Sequence, residues 1–217
     1  MLPLTKIVSD PLDVDARLAD FRVDREAVRH IARAALGARN DSVPFDPKTA
    51  KGLLAYIYGV RAMRDVFVAG AAYELVSRQN IESVYDRPRL KIMFQTVDVA
   101  CVKACAPKAI SEIGTAKQAV IENGQRSLFP EIEEEEQRRI AALTDYERAE
   151  AWYLCVAFGE DGITCELSRP HSVVDKQFAG FVERIFIITG DDPEGGGLLK
   201  LDDDSPPVEF TPLVLKR

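Results

Sequence analysis

The apolar residues of this chain follow two different spacings, and the change between them constrains the fold more than any other feature. Before residue 124 they recur every three or four positions, which is the spacing of one face of a helix. One such stripe consists of Val28, Ile31, Ala32, Ala35 and Leu36. From Trp152 onward, short apolar runs are separated by glycine-rich turns, which is typical of strands. The pattern predicts an α+β protein in which the helices come first and a small antiparallel sheet follows.

The first part of the chain is predicted to be a helical domain covering residues 10–124. Asp46 and Pro47 indicate a helix start, because aspartate accepts hydrogen bonds from free amides and proline is tolerated at the first helical position. Two glycines of that helix, Gly52 and Gly59, lie two turns apart on one face, so close packing of another helix is expected there. Further helices are predicted over residues 73–85, 90–105 and 107–123, the last of them ending at Gly124.

The second part of the chain, residues 131–217, is predicted to be a helix followed by an antiparallel β region. Its acidic start suits the first turns of a helix, where negative charge interacts favourably with the helix dipole. Residues 153–158 and 163–167 flank a glycine-containing turn and predict a hairpin. Residues 181–188 predict a third strand, and residues 208–215 predict an edge strand that contains Pro212. Residues 125–130 are predicted to be the linker between the two parts.

The charge of the chain is divided unevenly. Residues 1–124 carry 18 basic and 15 acidic side chains, whereas residues 125–217 carry 10 basic and 20 acidic ones. An acidic surface does not bind phosphates, so the second part is not expected to contact nucleic acid. No apolar run approaches the ~20 residues that span a bilayer, and no secretory signal is recognisable at the start. A cytoplasmic protein without direct contact to nucleic acid or membrane is expected.

Signatures of catalysis are missing from the sequence. It contains no P-loop, no nucleophile elbow and no zinc-protease helix. Cys101 and Cys105 have a spacing that also occurs in metal sites, but neither histidine is placed to complete one, so four free thiols are expected. Asp161 and Glu166 lie on a predicted hairpin and could hold Mg²⁺, as carboxylates do in metal-dependent nucleases. The lysine that such nucleases place two residues after the second carboxylate is replaced by Ser168. We therefore expect no enzyme activity, no metal and no cofactor.

The most informative short segment is Gln125-Arg126-Ser127-Leu128-Phe129, which we call the 125–129 peptide. An extended peptide of this kind can insert two apolar side chains into a groove while a glutamine amide, which both donates and accepts, fixes the register. Burial of Leu128 and Phe129 would contribute roughly 3–6 kcal/mol before ordering costs. The alternative is that both side chains belong to the core of the protein itself.

The 125–129 peptide resembles the pentapeptide with which bacterial polymerases, mismatch-repair proteins and clamp loaders bind the sliding clamp, Gln-x-(Ser/Asp)-Leu-Phe. Gln125, Ser127, Leu128 and Phe129 match it, and Arg126 stands where leucine is frequent. A small protein with this peptide and no nuclease or polymerase motif resembles the SocB-like replication-inhibitor toxins of toxin–antitoxin systems. That resemblance implies occupation of the clamp groove of the DNA polymerase III beta clamp. It also implies an antitoxin that acts as a proteolytic adaptor and delivers the toxin to the ClpXP protease.

Two other functions stay open on the sequence. A replication or repair accessory factor would use the same peptide but would also need a surface that binds DNA. A metal-dependent nuclease would use Asp161 and Glu166 instead of the peptide. Exposure of Phe129 distinguishes a docking peptide from an element of the core.

Overall fold

A computed structural model describes residues 4–70, 72–126, 143–159 and 162–190, without the side chains of Gln125 and Arg126. Five helices and nine strands are present in these ranges. The helices are α1 (Pro11–Ala19), α2 (Arg25–Asn40), α3 (Ala50–Ala69), α4 (Thr115–Arg126) and α5 (Asp145–Arg148). The strands are β1 (Lys6–Val8), β2 (Glu74–Arg78), β3 (Ile81–Asp86), β4 (Leu90–Thr96), β5 (Glu150–Gly159), β6 (Gly162–Pro170), β7 (Val173–Val174), β8 (Gln177–Phe178) and β9 (Phe181–Ile188).

The first helices begin at residues that satisfy free backbone amides. Asp10 accepts from the amides of Leu12 and Asp13, and Pro11 follows it at the first position of α1. Asp24 caps α2 in the same way through the amide of Ala27. The predicted start of α3 is displaced: Asp46 accepts instead from the amide of Val43, within the preceding loop, and the helix begins at Ala50.

Seven strands form one mixed sheet in the order β1-β9-β6-β5-β4-β3-β2. Two pairs, β1 with β9 and β4 with β5, are parallel, and the other four are antiparallel. A small hairpin, β7 with β8, lies outside this sheet. The predicted fold class, a helical domain followed by a small antiparallel sheet, is therefore wrong. The chain is mixed α/β, and the sheet takes strands from both sides of residues 125–130.

The error lies in residues 73–85 and 90–105, which were predicted to be helical and contain β2, β3 and β4. Both β3 and β4 are buried on both faces, so apolar and polar residues do not alternate regularly along them. A short run of that kind does not distinguish a buried strand from a buried helix. Gln79 and Asn80, both at positive φ, form the two-residue turn that joins β2 to β3.

Three of the four strands predicted in the second part are present. Residues of β5 and β6 pair as an antiparallel hairpin, with Phe158 opposite Ile163, and β9 covers the whole of the predicted third strand. The edge strand predicted over residues 208–215 lies outside the described residues.

The two faces of the sheet are covered differently. Helices α1, α2 and α3 pack on one face, where Leu18, Ile31 and Met63 join apolar residues of the central strands in the main core. The opposite face is covered by α4, by the loop after β4 and by the β7–β8 hairpin, around Tyr153 and Phe178. None of the helices in the described ranges is both long and apolar enough to cross a membrane.

Candidate functional site

Helix α4 carries the beginning of the 125–129 peptide and is fixed to the sheet through its buried side. Ile121 is fully buried in the second core, and Lys117 donates to the side-chain oxygen of Gln95 on β4 at 2.9 Å. A Cβ atom added at Gly124 would lie 2.8 Å from the carbonyl oxygen of Ala149 and 3.2 Å from the amide nitrogen of Ala151. Gly124 is thus needed for close approach of α4 to the start of β5.

The sequence pattern predicted that the helix ends at Gly124, but it does not. The α4 helix begins at Thr115 instead of near residue 107, and it continues through Gly124 to Arg126. The backbone of Gln125 consequently lies in the last turn of α4. The other members of the predicted binding set, Ser127, Leu128 and Phe129, lie outside the described residues, so their exposure stays a prediction.

The described part of the chain resumes at residue 143, and the short helix α5 that follows lies close to α4. Thr144 caps α5 with a reciprocal pair of bonds: its hydroxyl accepts from the amide of Glu147, and the Glu147 carboxylate accepts from the amide of Thr144 at 2.8 Å. A cavity of about 340 Å³ lies between α4, α5 and the β2–β3 turn. It is lined by Arg78, Gln79, Ile81, Ala116, Ala119, Val120, Asn123, Tyr146 and Glu147.

A buried lysine that the sequence analysis missed fixes α5 to the sheet. Lys91 of β4 donates from Nζ to the carbonyl oxygens of Tyr146 (2.7 Å) and Glu147 (3.2 Å), and its ammonium lies 4.7 Å from the centre of the Tyr146 ring. The Tyr146 hydroxyl in turn lies 2.9 Å from the hydroxyl of Ser83 on β3. Burial lowers the pKa of Lys91 to about 8. The only sequence signal was a lysine inside an apolar run.

Glu166, the second carboxylate of the nuclease hypothesis, is fully buried on β6 and has four hydrogen-bond donors. Arg184 of β9 contacts both of its oxygens, from Nε at 2.8 Å and from Nη2 at 2.7 Å. The hydroxyl of Ser168 donates to Oε1 at 2.7 Å, and the amide of Cys101 donates to Oε2 at 2.6 Å. These donors occupy the lone pairs that a metal ion would need.

The Glu166–Arg184 pair attaches the loop after β4 to the sheet. Arg184 also donates from Nη1 to the carbonyl oxygens of Val102 (3.1 Å) and Cys105 (3.0 Å) in that loop. Cys101 has a positive φ of 61°, which is unusual for a residue with a side chain, and the Glu166 carboxylate accepts its amide. In the structure Glu166 therefore has a positioning role within the fold. Asp161 lies outside the described residues.

The four cysteines are free, and three of them are at least partly buried. Cys155 is opposite Glu166 and Cys165 is opposite Val156 in the β5–β6 hairpin, so the two thiols point to opposite faces of the sheet and do not meet. Burial raises the pKa of the Cys101 thiol to about 12 and raises the pKa of Cys155 and Cys165 well above the usual value. These three thiols stay protonated at neutral pH, which disfavours nucleophilic chemistry.

Two further features of the described ranges concern metal binding and the largest of the cavities named here. No group of three or more His, Cys, Asp and Glu side chains in these ranges is arranged to hold a metal ion. A cavity of about 710 Å³ lies between β1 and α1, but its cations, Lys6 and Arg17, both contact Glu183 of β9. Both cations are thus engaged within the fold.

No known protein family, curated protein or solved structure matches the chain.

Proposed function

We propose that this chain is a non-enzymatic toxin that blocks DNA replication by binding the bacterial sliding clamp through Gln125, Ser127, Leu128 and Phe129. The observation that carries the proposal is the match of these residues to the clamp-binding pentapeptide, combined with the place where the peptide begins. That place is the last turn of a helix whose preceding residues are held against the sheet.

The position of α4 supports a docking role for the peptide. Ile121 and Gly124 pack against the sheet side of the helix, so the start of the peptide has a defined position relative to the rest of the protein. A fixed attachment point reduces the entropy that a docking segment loses on binding. In the proposed complex Gln125 fixes the register while Leu128 and Phe129 enter the apolar groove of the clamp.

The contacts of Glu166 favour this proposal over a nuclease. A carboxylate that already accepts four hydrogen bonds in a fully buried site must lose several of them before it can bind Mg²⁺. Arg184 would then remain buried without its partner, which costs about 3–5 kcal/mol.

The proposal is tested by changing Gln125 and Phe129 together to alanine and measuring binding to the purified clamp. The double variant is expected to lose clamp binding by at least about a hundredfold and to lose growth arrest, because the register amide and one of the two apolar anchors are removed. Phe45→Ala is the matched control, because Phe45 is a phenylalanine that is 98% exposed and lies outside the peptide. It is expected to bind as the unmodified chain does.

A synthetic peptide with the sequence of residues 123–131 gives a second test. It is expected to compete with the full chain for the clamp, whereas the same peptide with alanine at Phe129 is not. Unchanged clamp binding by the Gln125/Phe129 double variant would contradict the proposal. Binding to duplex DNA in addition to the clamp would favour a replication or repair accessory factor.

The proposal includes a cytoplasmic location and a partner antitoxin that acts as a proteolytic adaptor for ClpXP. We expect the antitoxin to be the product of a small gene next to the gene of this chain. Purified ClpXP is expected to degrade the chain only when that product is present. Equal degradation rates with and without it would contradict the adaptor role and leave the clamp proposal unaffected.

A further inference from the structure

Strand β2 forms one edge of the seven-stranded sheet. On one side it pairs with β3, from Glu74 opposite Tyr85 to Arg78 opposite Ile81, in a register without a bulge. No strand in the described residues pairs with its other side. Four of its five residues are exposed, and it contains no proline. Bulges and proline are devices by which edge strands avoid pairing with another chain.

The β2–β3 turn determines which backbone groups of β2 point outward. Gln79 and Asn80 form a two-residue turn in which both φ angles are positive, so Arg78 and Ile81 are the hydrogen-bonded pair that closes it. Antiparallel pairs alternate between hydrogen-bonded and non-hydrogen-bonded. Leu75 and Ser77 are therefore in non-hydrogen-bonded positions relative to β3, and their amides and carbonyls point to the outer side of the edge.

Contacts with α3 hold this edge strand in place without using those outward groups. Arg64 donates to the carbonyl oxygen of Val76 at 3.2 Å and to the hydroxyl of Ser77 at 3.0 Å, and it forms an ion pair with Glu82 of β3. The Val76 carbonyl faces β3, as its contact with the Ser83 hydroxyl shows. The edge is thus preorganised for pairing with another strand.

The sequence of β2 complements itself when two copies run antiparallel. With Val76 of each copy on a two-fold axis, Leu75 lies opposite Ser77 of the other copy, and Glu74 lies opposite Arg78. Both Leu75–Ser77 pairs then have their free amides and carbonyls facing each other, which gives four backbone hydrogen bonds. Each Glu74–Arg78 pair places opposite charges on one face at the close spacing of a non-hydrogen-bonded pair.

We propose that two copies of this chain associate through antiparallel pairing of their β2 strands, which joins the two sheets into one. The interface is isologous, as a two-fold dimer requires. The opposite edge, β1, has only three residues and therefore provides a shorter ladder. This inference does not depend on the clamp proposal.

The test is the mass of the full chain in solution, measured by sedimentation equilibrium over a range of concentrations, for the unmodified chain and two variants at Leu75. The unmodified chain is expected to reach twice the 24.1 kDa of one copy. Leu75→Pro is expected to remain a monomer, because it removes an outward amide in each copy and leaves the bonds to β3 intact. Leu75→Ala keeps that amide and is expected to dimerise.

A charge exchange tests the register. Arg78→Glu places two carboxylates opposite each other at both ends of the interface and is expected to weaken dimerisation by about tenfold or more. Adding Glu74→Arg to Arg78→Glu restores opposite charges and is expected to restore the dimer. Thermal melting checks that each variant is folded, because Arg78 also lies over the Tyr146 ring and Glu74 also forms an ion pair with Arg87. A monomer at every concentration, or a dimer of the Leu75→Pro variant, would overturn the proposal.

Discussion

Two buried charges, Glu166 and Lys91, are the residues whose roles depend most on their surroundings. Each is fully buried. Glu166 holds a segment without regular structure against the sheet, and Lys91 holds a short helix against it. A buried charge without partners is costly, so the bonds that satisfy each charge also fix the segment that supplies them. For Glu166 that is the loop after β4, and for Lys91 it is α5.

Removal of the Glu166 carboxylate is predicted to destabilise the protein strongly. Glu166→Ala leaves Arg184 buried without its partner and frees the amide of Cys101, so the free energy of unfolding should fall by about 3–5 kcal/mol in a urea titration. Glu26→Ala is the control, because Glu26 forms ion pairs on the exposed side of α2 and should cost at most about 1 kcal/mol. A Glu166→Ala variant of unchanged stability that loses a metal-dependent cleavage activity would instead indicate a nuclease.

Lys91 is predicted to make stability rise with pH above about pH 8. Burial lowers its pKa to about 8 from 10.5, so between these values the unfolded chain binds a proton that the folded chain has lost. When the unfolded state binds more protons, the free energy of unfolding increases with pH. Relative to Lys91→Met, the unmodified chain should gain on the order of 3 kcal/mol across this window. Denaturant titrations at several pH values measure the difference, and parallel curves for the two proteins would contradict it.

At the level of elements, helices and strands approach each other most closely at particular glycines. The spacing of Gly52 and Gly59 predicted a helix against the face of α3 that contains them. The structure places the Phe94 ring of β4 directly against Gly59, and nothing lies within 4 Å of a Cβ added at Gly52. A close neighbour is present, but it is an aromatic side chain of a strand, and it contacts only one of the two glycines.

This difference gives a matched pair of variants in one helix. Gly59→Ala should lower the free energy of unfolding by about 1–3 kcal/mol, because the added methyl overlaps a ring that is only 1% exposed. Gly52→Ala should leave stability unchanged or raise it by up to about 1 kcal/mol, since alanine favours the helix. Thermal melts of both variants make the comparison. Equal gains in the two would show that helix propensity, and not the Phe94 contact, determines the result.

At the level of the whole molecule, the parallel pairs connect the two halves of the chain. Strand β4, which precedes residues 125–130 in sequence, pairs with β5, which follows them. Strand β1 pairs with β9, the last strand of the described chain. The main core likewise combines residues of α1–α3 with residues of β5, β6 and β9.

The halves are therefore predicted to fold only together. Residues 1–130 alone lack the parallel partners of β1 and β4 and should show no cooperative thermal transition by circular dichroism. When residues 131–217 are added as a separate chain, a transition should appear, because the break interrupts no strand or helix that the structure describes. Cooperative unfolding of residues 1–130 alone would support the helical domain that the sequence pattern predicted.

The sequence by itself determined the features that depend on neighbours along the chain. The caps at Asp10 and Asp24, the amphipathic face of α2 and the β5–β6 hairpin are local, because a few adjacent residues satisfy their hydrogen bonds and align their apolar sides. The role proposed for the 125–129 peptide is also an inference from local sequence, and it stays a prediction.

Only the tertiary structure decided which apolar runs became strands and which polar residues became buried. Strands β3 and β4 are covered on both faces, so their sequences carry no alternation from which to infer the sheet. The bond between Arg184 and Glu166 joins residues 18 positions apart, and that between Lys91 and α5 spans 55 positions. Such contacts depend on strand order and register, which arise when the whole core is buried at once, and no local spacing of residues encodes them.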